Sequence, residues 1–137
     1  MKVTYDETFY APGTVVVTGN SGVIATPGSS SVELVVPLWF ICLGTDQATD
    51  ETNDVTIDWY ADSAGLYTFG KTTFAQMTAG DMVPPLEHWP GDVTAFDKAD
   101  AVTAPVVPIP PYCQINWALA GAAKSMSFTL RMTYLVM

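Results

Sequence analysis

The residues of this sequence equipped for chemistry are few, and most are acidic. Asp46, Asp50, Glu51 and Asp54 fall within the stretch GTDQATDETND, Gly44 to Asp54. Carboxylates are the hard oxygen ligands calcium takes, but a D-x-D-x-D-G loop also needs its spacing and a glycine at the sharp turn. Neither is present, so a solvated acidic loop is the favoured reading. Asp58 and Asp62 flank Trp59 and Tyr60, which suggests paired acids for glycoside hydrolysis. Four residues along a strand span about 13 Å on one face, beyond the roughly 5–9.5 Å between the carboxyl groups of glycosidases. That pair fails unless another acid approaches from elsewhere.

His88 is the only histidine. A multi-histidine zinc site within one chain is therefore excluded, and a Ser-His-Asp triad would have to use His88. It sits in PPLEHWPG, boxed by prolines and next to Trp89. There is no Gly-x-Ser-x-Gly elbow, and neither Cys42 nor Cys113 has helical or basic surroundings to lower its pKa. The expectation is a protein that is not an enzyme, with no catalytic residue, metal site or cofactor. LEHWPG then reads as an exposed contact loop with Trp89 packed on a neighbour, or as a tryptophan folded back onto its own sheet. Both cysteines lie in apolar runs, where an inert buried thiol is usual. A disulfide between them requires their strands to be neighbours.

The elements that must position these residues are strands. SMSFTLRMTYLVM places Met126, Phe128, Leu130, Met132, Tyr134 and Val136 on one side and Ser127, Thr129, Arg131, Thr133 and Leu135 on the other. That is a half-buried strand with its large apolar face inward. CQINWALAG alternates likewise, and GAAK between the runs predicts a C-terminal hairpin over 112–136. TVVVTG and GVIAT, separated by Gly19-Asn20-Ser21-Gly22, predict a second hairpin over 14–26. SVELVVPLWFICLG reads as a long strand in which Pro37, lacking an N–H, marks a bulge, an edge or a crossing between sheets. DVTIDWYAD points Val55, Ile57 and Trp59 inward, and GLYTFGKTTFAQM is a further strand. Pro108, Pro110 and Pro111 hold an extended approach to the strand that follows. Helical spacing is nearly absent; TTFAQMTAGDM could form one turn.

The expected fold class is therefore all-β, an antiparallel two-sheet β-sandwich of jelly-roll or Ig-like type with little helix and long proline-rich loops. One domain covers 1–137. The acidic stretch 44–54 is expected as a long exposed connection, and 80–111 as a long proline-rich one with a short strand at Asp92–Phe96. Residues 1–13 read either as an N-terminal arm, laid along a neighbour by strand addition through Val3, Tyr5, Phe9 and Tyr10, or as the first strand of the domain.

Composition narrows the partners. Five basic residues oppose fourteen acidic ones, for a formal net charge of −9. Lys2, Lys71, Lys98, Lys124 and Arg131 are too scattered to form a basic face, which argues against direct nucleic-acid binding and against anionic membranes. No apolar signal segment follows the first residues, and the run VELVVPLWFICLG, interrupted by Glu33 and Pro37, is too short to span a bilayer. Charged residues make up 14% of the chain against 49% hydrophobic. Such a chain has little charge to cover its surface, so its apolar area is buried either in part by a neighbouring subunit or largely between the two sheets of its own sandwich.

VTIDWYADSAGLYTFG followed, after a long middle, by VPIPPYCQINWALAGAAKSMSFTLRMTYLVM resembles the small β-sandwich head decoration (cement) proteins of tailed bacteriophages. The similarity covers roughly residues 54–137. It implies a non-enzymatic virion structural protein on the outside of a phage head, assembled in the host cytoplasm. Its partner would be the major capsid protein, whose subunit contacts it stabilises, and it would be a homo-oligomer, with a trimer favoured. Val3, Tyr5, Phe9, Tyr10, His88 and Trp89 are the expected partner-contact residues. The alternative is a tail- or spike-associated β-sandwich binding a host cell-surface glycan through exposed Trp39, Trp89 or Tyr67.

Overall fold

A computed structural model of the chain describes residues 3–26, 35–47, 52–74, 76–77, 82–83, 85–87, 109–121 and 126–136. Among them are nine strands and no helix: β1 (Val3–Val15), β2 (Gly19–Ala25), β3 (Val35–Gln47), β4 (Thr52–Tyr60), β5 (Thr68–Phe74), β6 (Met82–Val83), β7 (Pro85–Glu87), β8 (Tyr112–Ala120) and β9 (Met126–Val136). They form two antiparallel sheets, one ordered β1-β9-β3-β6 and the other β2-β8-β4-β5-β7. The outermost strands pair first with last, β1 with β9 and β2 with β8. Inside them β3 pairs with β6 and β4 with β5.

Alternation decides what each sheet buries. Val55, Ile57 and Trp59 of β4 and Cys113, Ile115 and Leu119 of β8 point to one side. Phe128, Leu130, Met132 and Tyr134 of β9 meet them from the other sheet in one core. Each such side chain contributes roughly 1.5–3 kcal/mol on leaving water. Two aromatic contacts reach across: Trp117 lies 5.7 Å from Phe128 between ring centroids, and Tyr10 stacks on Trp117 at 6.3 Å. Inside the core, the Trp59 indole N–H donates to the Thr72 hydroxyl at 2.8 Å.

Both expected hairpins are corrected. β8 and β9 do not pair; they lie in different sheets, each a central strand with two other neighbours. Two strands that each carry a continuous apolar stripe can bury those stripes against each other only from opposing layers. Gly121, with φ of 124°, stands where the chain leaves β8. β1 and β2 are likewise in different sheets. The expected turn Gly19-Asn20-Ser21-Gly22 is an irregularity within β2, whose register to β8 shifts between Asn20 and Val23. Gly22 takes a positive φ of 67° there. The Ser21 hydroxyl accepts the Ile115 N–H at 2.9 Å, which occupies a backbone donor the irregularity would otherwise leave open.

The stretch Gly44–Asp54 is not one long connection. β3 runs through Gly44 to Gln47 and β4 starts at Thr52, so Asp46 and Asp54 belong to strands, while Asp50 and Glu51 lie outside the described residues. Pro37 does sit at a register shift, between Pro37 and Trp39. TTFAQMTAGDM forms no helical turn where it is described: Thr72–Phe74 belong to β5, and Met77 bridges to Asn53. Asp92–Phe96 lies outside the described residues. At the foot of β8 the prolines are anchored: the Thr26 hydroxyl donates to the Pro110 carbonyl at 2.5 Å, and the Thr26 N–H to the Pro111 carbonyl at 2.9 Å.

Candidate functional site

The turn joining β4 to β5 concentrates features that the sheets do not explain. Its frame is Asp62. One carboxylate oxygen accepts the backbone N–H of Tyr67 at 2.9 Å, and both oxygens share the Leu66 N–H at 3.0 and 3.1 Å. The Ala61 N–H donates to the Tyr67 carbonyl at 2.8 Å and the Gly65 N–H to the Asp62 carbonyl at 3.2 Å. The Tyr67 N–H holds the Asp62 carboxyl below its ordinary value of 3.8, with smaller help from other backbone N–H groups; partial loss of water opposes this and is outweighed.

Gly65 has φ of +70°, a region L side chains rarely adopt, and a Cβ there would lie 2.9 Å from Cγ2 of Val23. The turn is therefore seated against β2, and the Tyr60 ring lies 3.7 Å from the same point. Burial, then the charges of Asp58 and Asp62, push the Tyr60 phenol above its ordinary pKa.

On this fixed frame stand Leu66, 75% exposed, Tyr67, 69% exposed, and Phe69, 51% exposed. Phe69 falls where the β4–β5 register shifts, between the pairs Trp59–Gly70 and Tyr60–Thr68. Such an irregularity re-aims a side chain away from the regular pleat. Three large apolar residues are thus held outward by a braced turn, so little ordering entropy would remain to be lost if a partner covered them.

A second exposed pair, Val16 and Val17, lies in the β1–β2 link. The Val17 carbonyl accepts the Trp117 indole N–H at 2.9 Å, and the Thr18 hydroxyl accepts the Leu119 N–H at 3.0 Å. The β4–β5 turn adjoins the Tyr112 end of β8, so the two apolar points are separated by about 17 Å of strand rise.

The outward face of the five-stranded sheet is polar. The Asn116 amide donates to Asp58 at 2.9 Å and to Thr56 at 3.2 Å, and accepts from the Gln114 amide at 2.8 Å. The Lys71 ammonium stands 3.8 Å from Asp58. Asp58 and Asp62 thus serve separate structures, a cross-strand ladder and a turn, and are not brought together as an acid pair. Among the described residues, no three His, Cys, Asp or Glu side chains gather as metal ligands.

Of the expected contact residues, Val3, Tyr5, Phe9 and Tyr10 all lie in β1, which pairs with β9 from Val3–Val136 to Val15–Met126. Tyr10 is half-buried against the core, and burial raises its phenol pKa. His88 and Trp89 lie outside the described residues. Cys113 is a buried free thiol, pushed up to about 12 by burial. Leu66, Tyr67 and Phe69 are the residues sequence reasoning passed over, apart from Tyr67 as a glycan contact. The signal was available: three large apolar residues follow Asp62-Ser63-Ala64-Gly65, a turn-forming series, where alternation cannot bury them all.

No family model matches this chain, and no curated protein or solved structure does.

Proposed function

We propose that this chain is a non-enzymatic structural protein of a virion, a capsid decoration (cement) protein that binds the outside of a phage head through the β4–β5 tip. The observation that carries this reading is the braced tip itself, with Leu66, Tyr67 and Phe69 exposed on a turn fixed by Asp62. A well-packed aromatic or aliphatic anchor is what dominates binding energy at protein interfaces. The low charge content supports burial between subunits, and the net charge of −9 suits an exterior surface over an interior one facing packaged nucleic acid. The partner in this reading is the major capsid protein, and the chain acts as a homo-oligomer, a trimer by preference.

The strand order supports a jelly roll over an Ig-like sandwich. From β1 to β4 the chain changes sheet at every step, and the pairs nest first with last. An Ig-like domain keeps its first two strands in one sheet. A rolled double Greek key gives the nested order, and jelly rolls of that kind build viral capsid and lectin domains.

The test is co-sedimentation of the purified chain with undecorated heads from a virus lacking it. Wild-type chain is expected to pellet with the heads. A Leu66→Ser, Tyr67→Ser variant with an unchanged melting midpoint is expected to bind at least ~30-fold more weakly, from about 2 kcal/mol lost at a dominant contact. Wild-type chain left in the supernatant contradicts the reading.

A further inference from the structure

The polar ladder on the outward face of the five-stranded sheet is organised beyond what a solvated surface requires. Both hydrogens of the Asn116 amide are committed, to Asp58 at 2.9 Å and Thr56 at 3.2 Å, and its oxygen takes a Gln114 hydrogen at 2.8 Å. These bonds are half-buried and tie β8 to β4, so the orientation of each planar group is fixed before any ligand arrives. Among the described residues, bonding capacity remains at the Gln114 carbonyl oxygen, the Thr56 hydroxyl hydrogen and the further lone pairs of Asp58. Tyr60 and Tyr112 stand opposite each other in the β4–β8 register at the end of this ladder, and the Gly65 turn lies against the Tyr60 ring.

We propose that this face, Asp58, Tyr60, Lys71, Tyr112, Gln114 and Asn116, is a binding surface for a neutral carbohydrate chain. Charge selects the class. Asp58 and Lys71 face each other at 3.8 Å and offset one another, Asp62 adds a second carboxylate charge felt at Tyr60, and the chain as a whole carries −9. A phosphate or sulfate would meet a repulsive field in which, among the described residues of this face, Lys71 is the one cation and is already engaged, and a cationic ligand would compete with Lys71 for Asp58. A neutral sugar has neither cost. Its hydroxyls, each donor and acceptor, match fixed amide and carboxylate edges. The apolar C–H face of a pyranose suits a phenol ring whose face carries partial negative charge. The proposal is independent of shell docking, because none of these residues belongs to the exposed apolar tip.

The experiment is an NMR titration of the full chain with cellohexaose, maltohexaose and mannohexaose, with a sulfated hexasaccharide as the anionic comparison. At least one neutral sugar is expected to shift the Gln114 and Asn116 side-chain amides and the backbone amides of 58–60 and 112–116. Gln114→Ala is expected to weaken that binding at least tenfold while leaving co-sedimentation with heads intact. Silence with all three neutral sugars overturns the proposal. So does preference for the sulfated one, or shifts confined to 61–69. Should Gln114→Ala unfold, the wild-type shift map still decides.

Discussion

The backbone N–H of Tyr67 points into the carboxylate of Asp62 at 2.9 Å, and together with the Leu66 N–H on the same carboxylate it sets how the β4–β5 tip presents its apolar side chains. Because the bond favours the charged form, the carboxyl pKa falls below 3.8. The brace is fully present above that value and is lost as pH drops through the lowered folded pKa. Protection of the Leu66 and Tyr67 amides, taken as the exchange rate relative to the intrinsic rate at each pH, is expected to hold at pH 5–7 and to fall on acidification below 3.8, the ordinary carboxyl value. Asp62→Asn keeps an acceptor oxygen but no charge, and is expected to flatten this pH dependence. An unchanged acid profile in that variant contradicts the assignment.

The seat of the same turn is steric. Gly65→Ala places a methyl 2.9 Å from Val23 Cγ2 at a φ of +70°. The left-handed conformation alone costs about 1–2 kcal/mol. A drop of that size or more in unfolding free energy is expected from denaturant melts, together with faster exchange at Leu66. A neutral effect argues that the turn does not rest on β2.

Asn53 is fully buried, and among the described residues neither its amide nitrogen nor its amide oxygen has a partner, although its backbone pairs with Met77 in both directions. An unsatisfied buried polar group costs about 1–3 kcal/mol. Asn53→Leu, close in size and without polar atoms, is expected to be neutral or to stabilise by about 1–2 kcal/mol in urea unfolding. A clear destabilisation would mean that the amide is bonded in solution.

Cys113 is buried within the core, with its thiol pushed up to about 12. The thiolate is the reactive form, so at pH 8 the group is neutral as well as inaccessible. Iodoacetamide followed by peptide mass analysis is expected to leave Cys113 unmodified in the native chain and to label it fully in denaturant. Native labelling at the denatured rate contradicts its placement.

The sequence was most readable where period two is strict. Val55, Ile57 and Trp59, and Phe128, Leu130 and Met132, bury as their alternation requires, and Pro37 marks an irregularity as its missing N–H demands. Pairing was not readable. Short glycine-containing links suit a hairpin and a crossing between sheets equally, so local spacing over 14–26 and 112–136 predicts hairpins. In the fold their strands find partners far along the chain, as in Val3 with Val136. The choice is made by which apolar stripes must face each other, a long-range property that local spacing does not encode. The tip is not legible in sequence alternation for a related reason: its residues break that alternation, and only the bonds to Asp62 give the broken pattern a fixed structure.

A cryo-electron microscopy reconstruction of phage particles made in cells that express this chain tests the proposed capsid role most directly. The expected result is many copies on the outer surface of the head at subunit junctions, with Leu66, Tyr67 and Phe69 buried against the shell. Heads bearing none of this chain, or copies whose β4–β5 tip faces solvent, would contradict it.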